Sequence, residues 1–595
     1  MHLKCNRRIK DGKEHRYWSI VENRRCSGGR VLQRPVLYLG EINDSQREAW
    51  IRSIEVFDED QGCQNKMALF AADRPIPPGI SEGIGVRLSE FVLKRPRQWG
   101  ACWLFSQLWE QLGLREFWQQ RLGQSREGTE WEHVLEVLSA YRLLDPGSEW
   151  RLHRHWYRHS AMGDLLGEQD TVAAKDTLYR CLDLLVGHKE ALFSHLSQRW
   201  QDLFGLKFEV LLYDLTSTYF EADPDPERGE EDKRRYGYSR DKRPDCLQVV
   251  IALIVTPEGF PLAYEVLAGN CSDKTTLKDF LHKIEAQYGQ AERIWVMDRG
   301  IPTEEVLQQM REAKPPISYL VGTPKARLGK LESGFLDQVW NQVREGIEVK
   351  LLAEGRELYL LTQSRERVNK ERAIRRRQLK ALCKRLRQLQ GMKLRSQALL
   401  LKLGEAKGKY RAAWRLLDIQ LPDAGAPAAQ SEFSFRLNRV RLREARRREG
   451  RYLLRTNLRD HPPEKLWQLY TQLTQVEEAF KNLKADLGLR PIFHQLQERI
   501  EAHIFVAFLA YCLHANLRYR LSLRAPGLTP RAVLEKFASI QMLDAYFPTH
   551  DGRWLIFSRY TQPEKDHRLL LEQLGLQLPA QSPPRITAKG EFLPS

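Results

Sequence analysis

At 595 residues the chain is too long for one hydrophobic core, and a prior of about 150 residues per domain predicts roughly three to four domains. A hydrophobic fraction of 42% with 15 Trp is typical of globular proteins. The 94 Lys and Arg against 77 Asp and Glu leave a net charge of +17, which favours a polyanionic partner such as nucleic acid. The same balance also fits ribosomal, heparin-binding and membrane-surface proteins.

The cysteines and the apolar runs exclude several classes. The nine cysteines contain no C-x-x-C pair, so neither a zinc site nor a disulfide framework is expected, and a reducing cytoplasm is favoured. The first residues lack the apolar core of a secretion signal. Residues 504–513 are the most apolar run, against the ~20 residues needed to cross a bilayer. We expect a buried helix there and no membrane partner.

The first third of the chain changes character near residue 90. Residues 1–90 contain short β-like runs separated by glycine-rich turns, which predict a small β module. Residues 91–205 are helical in pattern, because apolar residues recur three and four apart. The histidines and arginines at 153–159 make this segment a candidate DNA-binding region, although a solvated helix face explains them equally well.

Residues 206–322 alternate strands and helices. The stretch VLLYDLTSTYF at 210–220 predicts a buried strand that carries Asp214. Aspartate is a poor strand former and costly to bury unpaired, so a metal or a cation is expected beside it. The alternative is an aspartate that accepts hydrogen bonds from neighbouring turn amides.

The segments that follow Asp214 complete a recognisable order. A charged loop (221–243), a hairpin (247–255 and 260–266) and a helix (275–288) capped by Asp273 precede a strand (293–297) that ends in Asp298. A helix (303–312) and a strand (317–321) come next. This order predicts an α/β fold with a ribonuclease-H-like catalytic core.

Residues 323–458 interrupt that core. A hairpin at 349–353 and 357–362 and strands at 433–437 and 452–455 flank a long basic helix. Between residues 365 and 395 there are thirteen Lys or Arg and two acids. Leucines spaced three and four apart predict an amphipathic helix or a short coiled-coil arm, whose other face could track a phosphate backbone.

The core resumes after residue 459. A helix at 464–487 places Tyr470, Leu473, Glu477, Lys481 and Lys484 on one face. Surface ion pairs are the plain explanation of such an acid among lysines. An apolar helix (500–517), a helix at 530–545, a strand at 554–558 and a disordered proline-rich tail from 579 complete the chain.

Two strands that each carry an acid are expected to be neighbours, so Asp214 and Asp298 should converge, with Glu477 returning to the same point. Three carboxylates repel one another unless cations lie among them. Hard cations such as Mg²⁺ prefer oxygen ligands, and a pair of such ions suits phosphodiester chemistry.

At this point the chain resembles the DDE transposases of bacterial insertion sequences, in the insertion-sequence-four-like branch. The resemblance covers most of residues 205–520 in the family's order. It rests on LLYDLTSTYF (211–220), GYSRDKRPD (237–245), GNCSD (269–273), VMDRGIP (296–302) and VEEAFKNLK (476–484) followed by LRPIFH.

The resemblance implies roles for individual residues. Asp214, Asp298 and Glu477 would be the catalytic acids and the ligands of two Mg²⁺ ions, with Mn²⁺ able to substitute. The Y-x2-R-x3-E-x6-K signature of the branch maps onto Tyr470, position 473, Glu477 and Lys484, but Leu473 stands where the pattern has Arg. The expected DNA-binding residues are Tyr470, Lys481, Lys484, Arg299, Arg375, Arg376, Arg377, Lys384 and Arg385, with Trp340 and Trp467 considered for stacking on a flipped base.

The implied domains are a β module (1–90), a helical DNA-binding region (91–205), the two parts of a ribonuclease-H-like core (206–322 and 459–525), a β-rich and helical insertion domain (323–458) and a C-terminal region with its tail (526–595). The implied function is cleavage of the element's ends and their joining to target DNA. The partners would be double-stranded terminal inverted repeats, target DNA and further copies of the chain, as a homodimer or larger, at the bacterial nucleoid in the cytoplasm. The alternatives are a related nuclease without strand transfer and a non-catalytic, domesticated DNA-binding protein.

Overall fold

The computed structural model describes residues 2–10, 13–25, 31–41, 85–122, 125, 128–221, 232–271, 284, 293–299, 301–324, 327–328, 331, 333–392, 394, 396–420 and 433–587. The chain divides into two compact units. One comprises Leu182–Ala515, and the other combines Met1–Cys181 with Asn516–Ser595. Apart from Ile284, the predicted helix at 275–288 and its cap Asp273 lie outside the described residues.

The strands are, in chain order, β1 (His2–Lys10), β2 (Lys13–Arg25), β3 (Val31–Glu41), β4 (Val92–Gln98), β5 (Val210–Phe220), β6 (Leu247–Val255), β7 (Pro261–Ala268), β8 (Ile294–Met297), β9 (Ser318–Thr323), β10 (Asn341–Arg344), β11 (Ile347–Glu354), β12 (Glu357–Ser364), β13 (Leu417–Gln420), β14 (Ser434–Leu437), β15 (Arg451–Thr456), β16 (Gln541–Pro548), β17 (Trp554–Tyr560) and β18 (Arg585–Ile586).

The α-helices are α1 (Gly100–Gln111), α2 (Leu114–Leu122), α3 (Trp131–Leu144), α4 (Glu149–Arg151), α5 (Tyr157–His159), α6 (Met162–Leu166), α7 (Lys175–Leu185), α8 (Lys189–Phe204), α9 (Glu304–Glu312), α10 (Arg365–Gln390), α11 (Ser396–Lys409), α12 (Arg411–Trp414), α13 (Arg439–Arg448), α14 (Pro463–Thr471), α15 (Leu473–Lys481), α16 (Gln497–Arg524), α17 (Pro530–Phe537) and α18 (Lys565–Leu574). Short 3-10 helices lie at Leu88–Glu90, Asp170–Ala173 and Val186–His188, and π-helical turns at Leu152–Trp156 and Asn482–Asp486.

The unit that contains both chain ends has two antiparallel sheets. One is β1-β2-β3, and the other runs β18-β17-β16-β4. The predicted helix at 530–545 is wrong beyond Phe537, because β16 follows it and pairs with β4 and β17. In β16 the buried residues alternate, and buried Asp544 is paired with buried Arg97 at 2.9 Å, so strand pairing overrides the local helix preference.

The proline-rich tail is also more ordered than predicted. Residues Arg585 and Ile586 pair with β17, and Tyr560 donates a hydrogen bond to the carbonyl of Pro579. The expectation of disorder from residue 579 is therefore wrong up to residue 587. Residues 588–595 lie outside the described part.

The second unit is built on a nine-stranded mixed sheet with the order β10-β11-β12-β15-β9-β8-β5-β6-β7. Strands β5, β8 and β9 are parallel to one another, whereas β6 is antiparallel to β5, and β7 is antiparallel to β6. Every residue of β6 is buried, which fits its near-continuous run of Val, Ile and Leu. Helix α8 packs on β7, and the Trp200 indole donates to the Pro261 carbonyl at 3.0 Å.

The inserted residues 323–458 differ from the expectation of a wholly separate domain. Their strands β10, β11, β12 and β15 extend the main sheet beyond β9. An ion-pair network joins the extension to the core, since buried Arg455 of β15 contacts buried Glu357 of β12 and exposed Glu304 of α9. The domain boundaries themselves stay a prediction.

Two buried clusters lie within the described residues of the insertion, and one of them belongs to its helical part. Leu382, Leu386 and Leu389 of α10 are buried, as their three-and-four spacing predicts. They pack with Leu399, Leu403, Ala406, Ala413, Leu417 and Phe433. Helix α10 is therefore an amphipathic helix with one apolar face committed to packing.

The helix predicted at 464–487 is divided in three. Helix α14 ends at Thr471, α15 runs to Lys481, and a π-helical turn covers Asn482–Asp486. Among the described helices, α16 is long and apolar enough to cross a membrane, with a hydropathy of 1.4 in its best window, and 94% of that window is buried. The buried helix predicted at 504–513 is confirmed.

The motifs at 237–245 and 269–273 each contain a glycine where two backbone segments come too close for a side chain. A Cβ on Gly269 would overlap the carbonyl oxygens of Gln248 and Arg235, and one on Gly237 would overlap the carbonyl oxygen of Gly269. The Gln248 side chain fixes this crossing by donating to the carbonyls of Tyr238 at 3.1 Å and Gly269 at 2.9 Å.

We expect Gly269→Ala to destabilise the protein by about 1–3 kcal/mol, because the added methyl group must displace backbone atoms. The control is Gly404→Ala in α11, where a Cβ meets nothing within 4 Å. It should stabilise by about 0.5–1 kcal/mol, since alanine is the better helix former. Melting temperatures of the two variants check this, and equal shifts would contradict the close approach at Gly269.

Candidate active site

Two acids occupy adjacent positions on neighbouring strands. Parallel β5 and β8 are in register at Tyr213 and Met297, so the next residues along the two strands are Asp214 and Asp298. Residues in register on neighbouring strands, ~4.8 Å apart, project their side chains to the same face. Both aspartates are half-buried. The expected convergence of Asp214 and Asp298 is therefore seen in the described structure.

Helix α15 brings the third acid to the same place. It packs on β5 and β6 through buried Leu473, Val476 and Phe480, and Glu477 lies on its exposed side. Glu477 and Asp298 both exert an unfavourable charge effect on Asp214. The three carboxylates thus lie close enough to influence one another, although 263 residues separate the first from the last.

Burial and repulsion raise the pKa of Asp214 and Glu477. The pKa of Asp214 rises to about 7, first through burial and then through the charges of Asp298 and Glu477, although Arg240 opposes the shift. The pKa of Glu477 is also raised, by burial and then by Asp298. No described cation forms an ion pair with Asp214, Asp298 or Glu477. The cluster has more negative charge than its own surroundings neutralise.

A tyrosine positions the second acid. The Tyr470 hydroxyl, at the end of α14, donates to Asp298 Oδ1 at 3.1 Å. Its ring stacks on Tyr452 at 6.1 Å between centroids. Gly322 of β9 makes room for it, because a Cβ there would lie 2.7 Å from the Tyr470 hydroxyl oxygen. Burial and the Asp298 charge raise the pKa of Tyr470, so it remains a hydrogen-bond donor.

The loop before β6 ties the strand of Asp214 to the helix of Glu477. The Arg240 amide donates to Ser217 Oγ of β5 at 3.2 Å. Next to it, buried Asp241 accepts from Lys484 Nζ at 2.9 Å and is ion-paired with Arg490. Asp241 Oδ2 has no hydrogen-bond partner in the described structure. Sequence reasoning gave Asp241 no role, because its partner Lys484 lies 243 residues away.

Two family models match this chain. The family model for the transposase DDE domain matches residues 208–513, which is just over half of the chain. The chain belongs to the DDE transposase family. A second family model, the N-terminal domain of the IS1634 family of transposases, matches residues 3–55.

No curated protein matches this transposase. A solved structure, the cryo-EM structure of a piggyBac transposase synaptic complex with hairpin DNA, is similar at 8% identity with a TM-score of 0.34. The alignment covers 74% of this chain and 78% of the other. At that score the likeness carries no weight, and the family assignment depends on the two family models.

The signature residues of this transposase do not all face the site. Leu473, at the position of the signature arginine, is buried at 7% exposure and packs in the core. Lys484 is only 10% exposed at its side chain and is paired with Asp241, and burial lowers its pKa. Lys481 and Arg299 are exposed. They are therefore the predicted DNA ligands that lie free at the edge of the acid cluster.

The predicted basic ligands on α10 divide in the same way. Arg376, Arg377 and Lys384 are exposed, Arg385 is half-buried, and Arg375 is ion-paired with buried Glu449. Of the tryptophans considered for base stacking, Trp467 is 8% exposed and donates to the Tyr452 hydroxyl at 2.9 Å. Trp340 lies under the cations of Lys350 and Arg451.

The raised pKa of Asp214 predicts a pH-dependent effect of Asp214→Asn. The folded protein holds a proton on Asp214 up to pH of about 7, whereas the unfolded chain loses it near 3.8. The contribution of Asp214 to the free energy of unfolding is therefore complete below pH 3.8 and is lost as the pH rises through about 7. Without divalent cations, the variant should gain about 2–3 kcal/mol over wild type between pH 5 and 8.

Thermal melts at pH 5 and pH 8 in EDTA measure this difference. Adding Mg²⁺ at pH 8 should then raise the melting temperature of wild type more than that of Asp214→Asn, since a bound ligand stabilises the folded state. If the two proteins had the same melting temperatures at both pH values, with and without Mg²⁺, Asp214 would have neither a raised pKa nor a role as a Mg²⁺ ligand.

Asp241 forms ion pairs with both Lys484 and Arg490, and we call these contacts the Asp241 clamp. Asp241→Ala leaves Lys484 and Arg490 without their shared carboxylate, so it should destabilise by about 3–5 kcal/mol. Asp245→Ala removes an acid of the same loop whose pairing with Arg243 is exposed, and it should change stability little. Equal melting shifts for the two variants would argue against the clamp.

Proposed function

We propose that this transposase cleaves the ends of its insertion sequence and joins them to target DNA. Asp214, Asp298 and Glu477 are the proposed catalytic carboxylates, and the proposed ligands of two Mg²⁺ ions, for which Mn²⁺ substitutes. The observation that carries the proposal is the convergence of these three acids, from two adjacent parallel strands and one helix, in a chain of the DDE transposase family.

The acids fit divalent cations in their chemistry. Carboxylate oxygens are the ligands that Mg²⁺ prefers, and a cation among the acids would offset the burial and mutual repulsion that raise the pKa of Asp214 and Glu477.

Bound ions would activate a nucleophile and stabilise the leaving oxygen of a phosphodiester. In the proposed first step, a water oxygen attacks the phosphorus at the element's end, and the P–O3′ bond breaks to leave a 3′-hydroxyl and a 5′-phosphate. In the second, that 3′-hydroxyl attacks a target phosphodiester and displaces its 3′-oxygen.

The chain's own residues have supporting roles in this proposal. Tyr470 keeps Asp298 oriented through its hydroxyl, which donates at 3.1 Å. Exposed Lys481, one turn beyond Glu477 on α15, and exposed Arg299, next to Asp298, would hold phosphate oxygens beside the reacting bond. Lys484 would hold the loop through Asp241 instead of reaching the phosphate.

The sheet supports a ribonuclease-H-like core. In chain order, its first three strands β5, β6 and β7 form an antiparallel meander, and β8 and β9 continue in parallel on the other side of β5. The first strand is central and carries the first acid. Double-stranded DNA, a homodimer or larger assembly of this chain, and the bacterial nucleoid in the cytoplasm complete the proposal.

One observation favours a second candidate, a domesticated DNA-binding protein without catalysis. Leu473 replaces the signature arginine, and its buried side chain cannot contact DNA. A related nuclease that cuts without joining is distinguished by the products. Assays for joined DNA as well as nicks separate both alternatives from a transposase.

We expect Asp298→Asn to abolish cleavage of the element's ends in Mg²⁺ while gel-shift binding to those ends survives. The amide removes the charge that holds the ions, which contribute several kcal/mol, so the rate should fall about a thousandfold or more. Retained cleavage in this variant would sink the assignment.

Glu477 and Glu478 provide a matched pair. Both are exposed on α15, and the charge of Glu477 raises the pKa of Asp214. Glu477→Gln should lower cleavage by about a thousandfold, and Glu478→Gln by less than about tenfold, because only the former is a proposed ligand. The reverse order of activities would move the third acid to Glu478.

A further inference from the structure

Helix α13 carries an unusual concentration of arginine. Its sequence, RVRLREARRR, contains six arginines and one acid, and it has no buried residue. Arg439, Arg443, Arg446 and Arg447 follow one another at steps that place them on a single helix face. At ~100° per residue, the four arginines span ~100° around the axis, and Glu444 lies ~60° beyond Arg447, the nearest of them. The one acid of the helix therefore lies beside this face and not within it.

These four arginines have no partner in the described structure. All four are exposed, and none of their side chains makes a hydrogen bond or an ion pair with the described residues. Arg441, on the other side of the helix, does pair with Asp418, at 3.4 Å. The neutralising contacts of this helix thus lie away from the four-arginine face.

Both ends of α13 are fixed to the rest of the insertion. At the first end, the Asn438 side-chain amide donates to Asp418 Oδ1 at 3.0 Å, while its own Oδ1 accepts from the Arg441 amide at 2.9 Å. After the last turn, buried Glu449 binds Arg375 and Arg372 of α10, and the Gly450 amide donates to Glu371 at 3.0 Å. The helix is held at its two ends, so the arginine face is a preorganised surface.

Gly450 shows how close this attachment is. Its φ of +70° suits glycine. A Cβ at this position would also overlap Val368 and lie 2.8 Å from the Ser364 carbonyl oxygen. Some of the cations of α10 are used to anchor α13, while Arg439, Arg443, Arg446 and Arg447 of α13 remain available for a ligand.

We infer that the face formed by Arg439, Arg443, Arg446 and Arg447 binds the phosphate backbone of double-stranded DNA. This deepens the proposed function and depends on it for the identity of the polyanion. The four residues span ~12 Å of helix axis, a length over which duplex DNA carries about seven phosphates. Arginine is suited to phosphate because its planar fork donates two parallel hydrogen bonds.

Contacts to phosphate carry no sequence information, so this surface would hold the duplex without selecting its sequence. Within the insertion, helix α13 would then make the main contact with the DNA phosphate backbone, and the exposed cations of α10 would make a lesser one.

The test is duplex binding by the full-length protein in EDTA, which excludes cleavage, over a series of salt concentrations. The variant R439Q/R443Q/R446Q/R447Q should reduce the slope of log affinity against log salt by about 3 to 4, at ~0.9 per lost phosphate contact. The loss should be the same for an end sequence and an unrelated duplex.

Two comparison variants make the result specific. R439K/R443K/R446K/R447K keeps the charges and should keep most of the slope. R376Q/R377Q/K380Q/K384Q removes four exposed cations from α10 and should reduce the slope by less than the α13 variant. Melting temperatures near wild type would confirm that all three are folded, as expected for exposed positions.

An unchanged slope in the glutamine variant of α13 would overturn the inference, as would a larger effect of the α10 variant. Loss of binding to RNA or to anionic vesicles with duplex binding intact would assign the face to a different partner and overturn it too. Absence of end cleavage by wild-type protein in Mg²⁺ would refute the proposed function without affecting this outcome.

Discussion

The register between β5 and β8 is the constraint on which the site depends. One parallel pairing, Tyr213 with Met297, sets Asp214 and Asp298 side by side on the same face of the sheet. A slip of one residue would turn one of the two aspartates to the opposite face. The register is secured by buried apolar residues on both strands, Leu211, Leu212, Trp295 and Val296 among them. Packing in the core thus decides the position of the charges.

The same packing makes the acid cluster costly. Buried carboxylates with like-charged neighbours are less stable ionised, which is why the pKa of Asp214 rises to about 7. A fold retains such a group where something else supplies the missing positive charge. Perturbed acids that lie together are typical of functional sites, and here they coincide with the residues that the family resemblance implies.

A second set of contacts holds the helix of Glu477 to the sheet. The loop that contains Arg240 and Asp241 contacts Ser217 on β5 and Lys484 beyond α15. The positively charged Lys484 is therefore used for structure, although the signature predicts a DNA contact. The insertion is likewise tied to the core by Arg455 and its two glutamates. Charged residues in this protein divide between holding the fold and facing a ligand.

Much of the core could be predicted from its sequence. The strands at 210–220 and 247–255 are found with the predicted bounds. Their runs of Val, Ile and Leu favour β-strands that are buried on both faces of a sheet. The predicted acids Asp214, Asp298 and Glu477 lie together. The errors came where local preference was overridden by pairing. Residues 541–548 form a strand because Asp544 meets Arg97, which lies more than four hundred residues away.

By itself the sequence determined the apolar strands and helices, the excess of positive charge and the three acids that stand out from their surroundings, since each of these depends on residue type and short-range spacing. Only the tertiary structure decided which charges are free. It showed that Lys484 is ion-paired with Asp241 and Arg375 with Glu449, whereas the four arginines on one face of α13 have no ion-pair partner among the described residues. An ion pair depends on distance in space, and residues far apart in the chain reveal that distance only when the chain is folded.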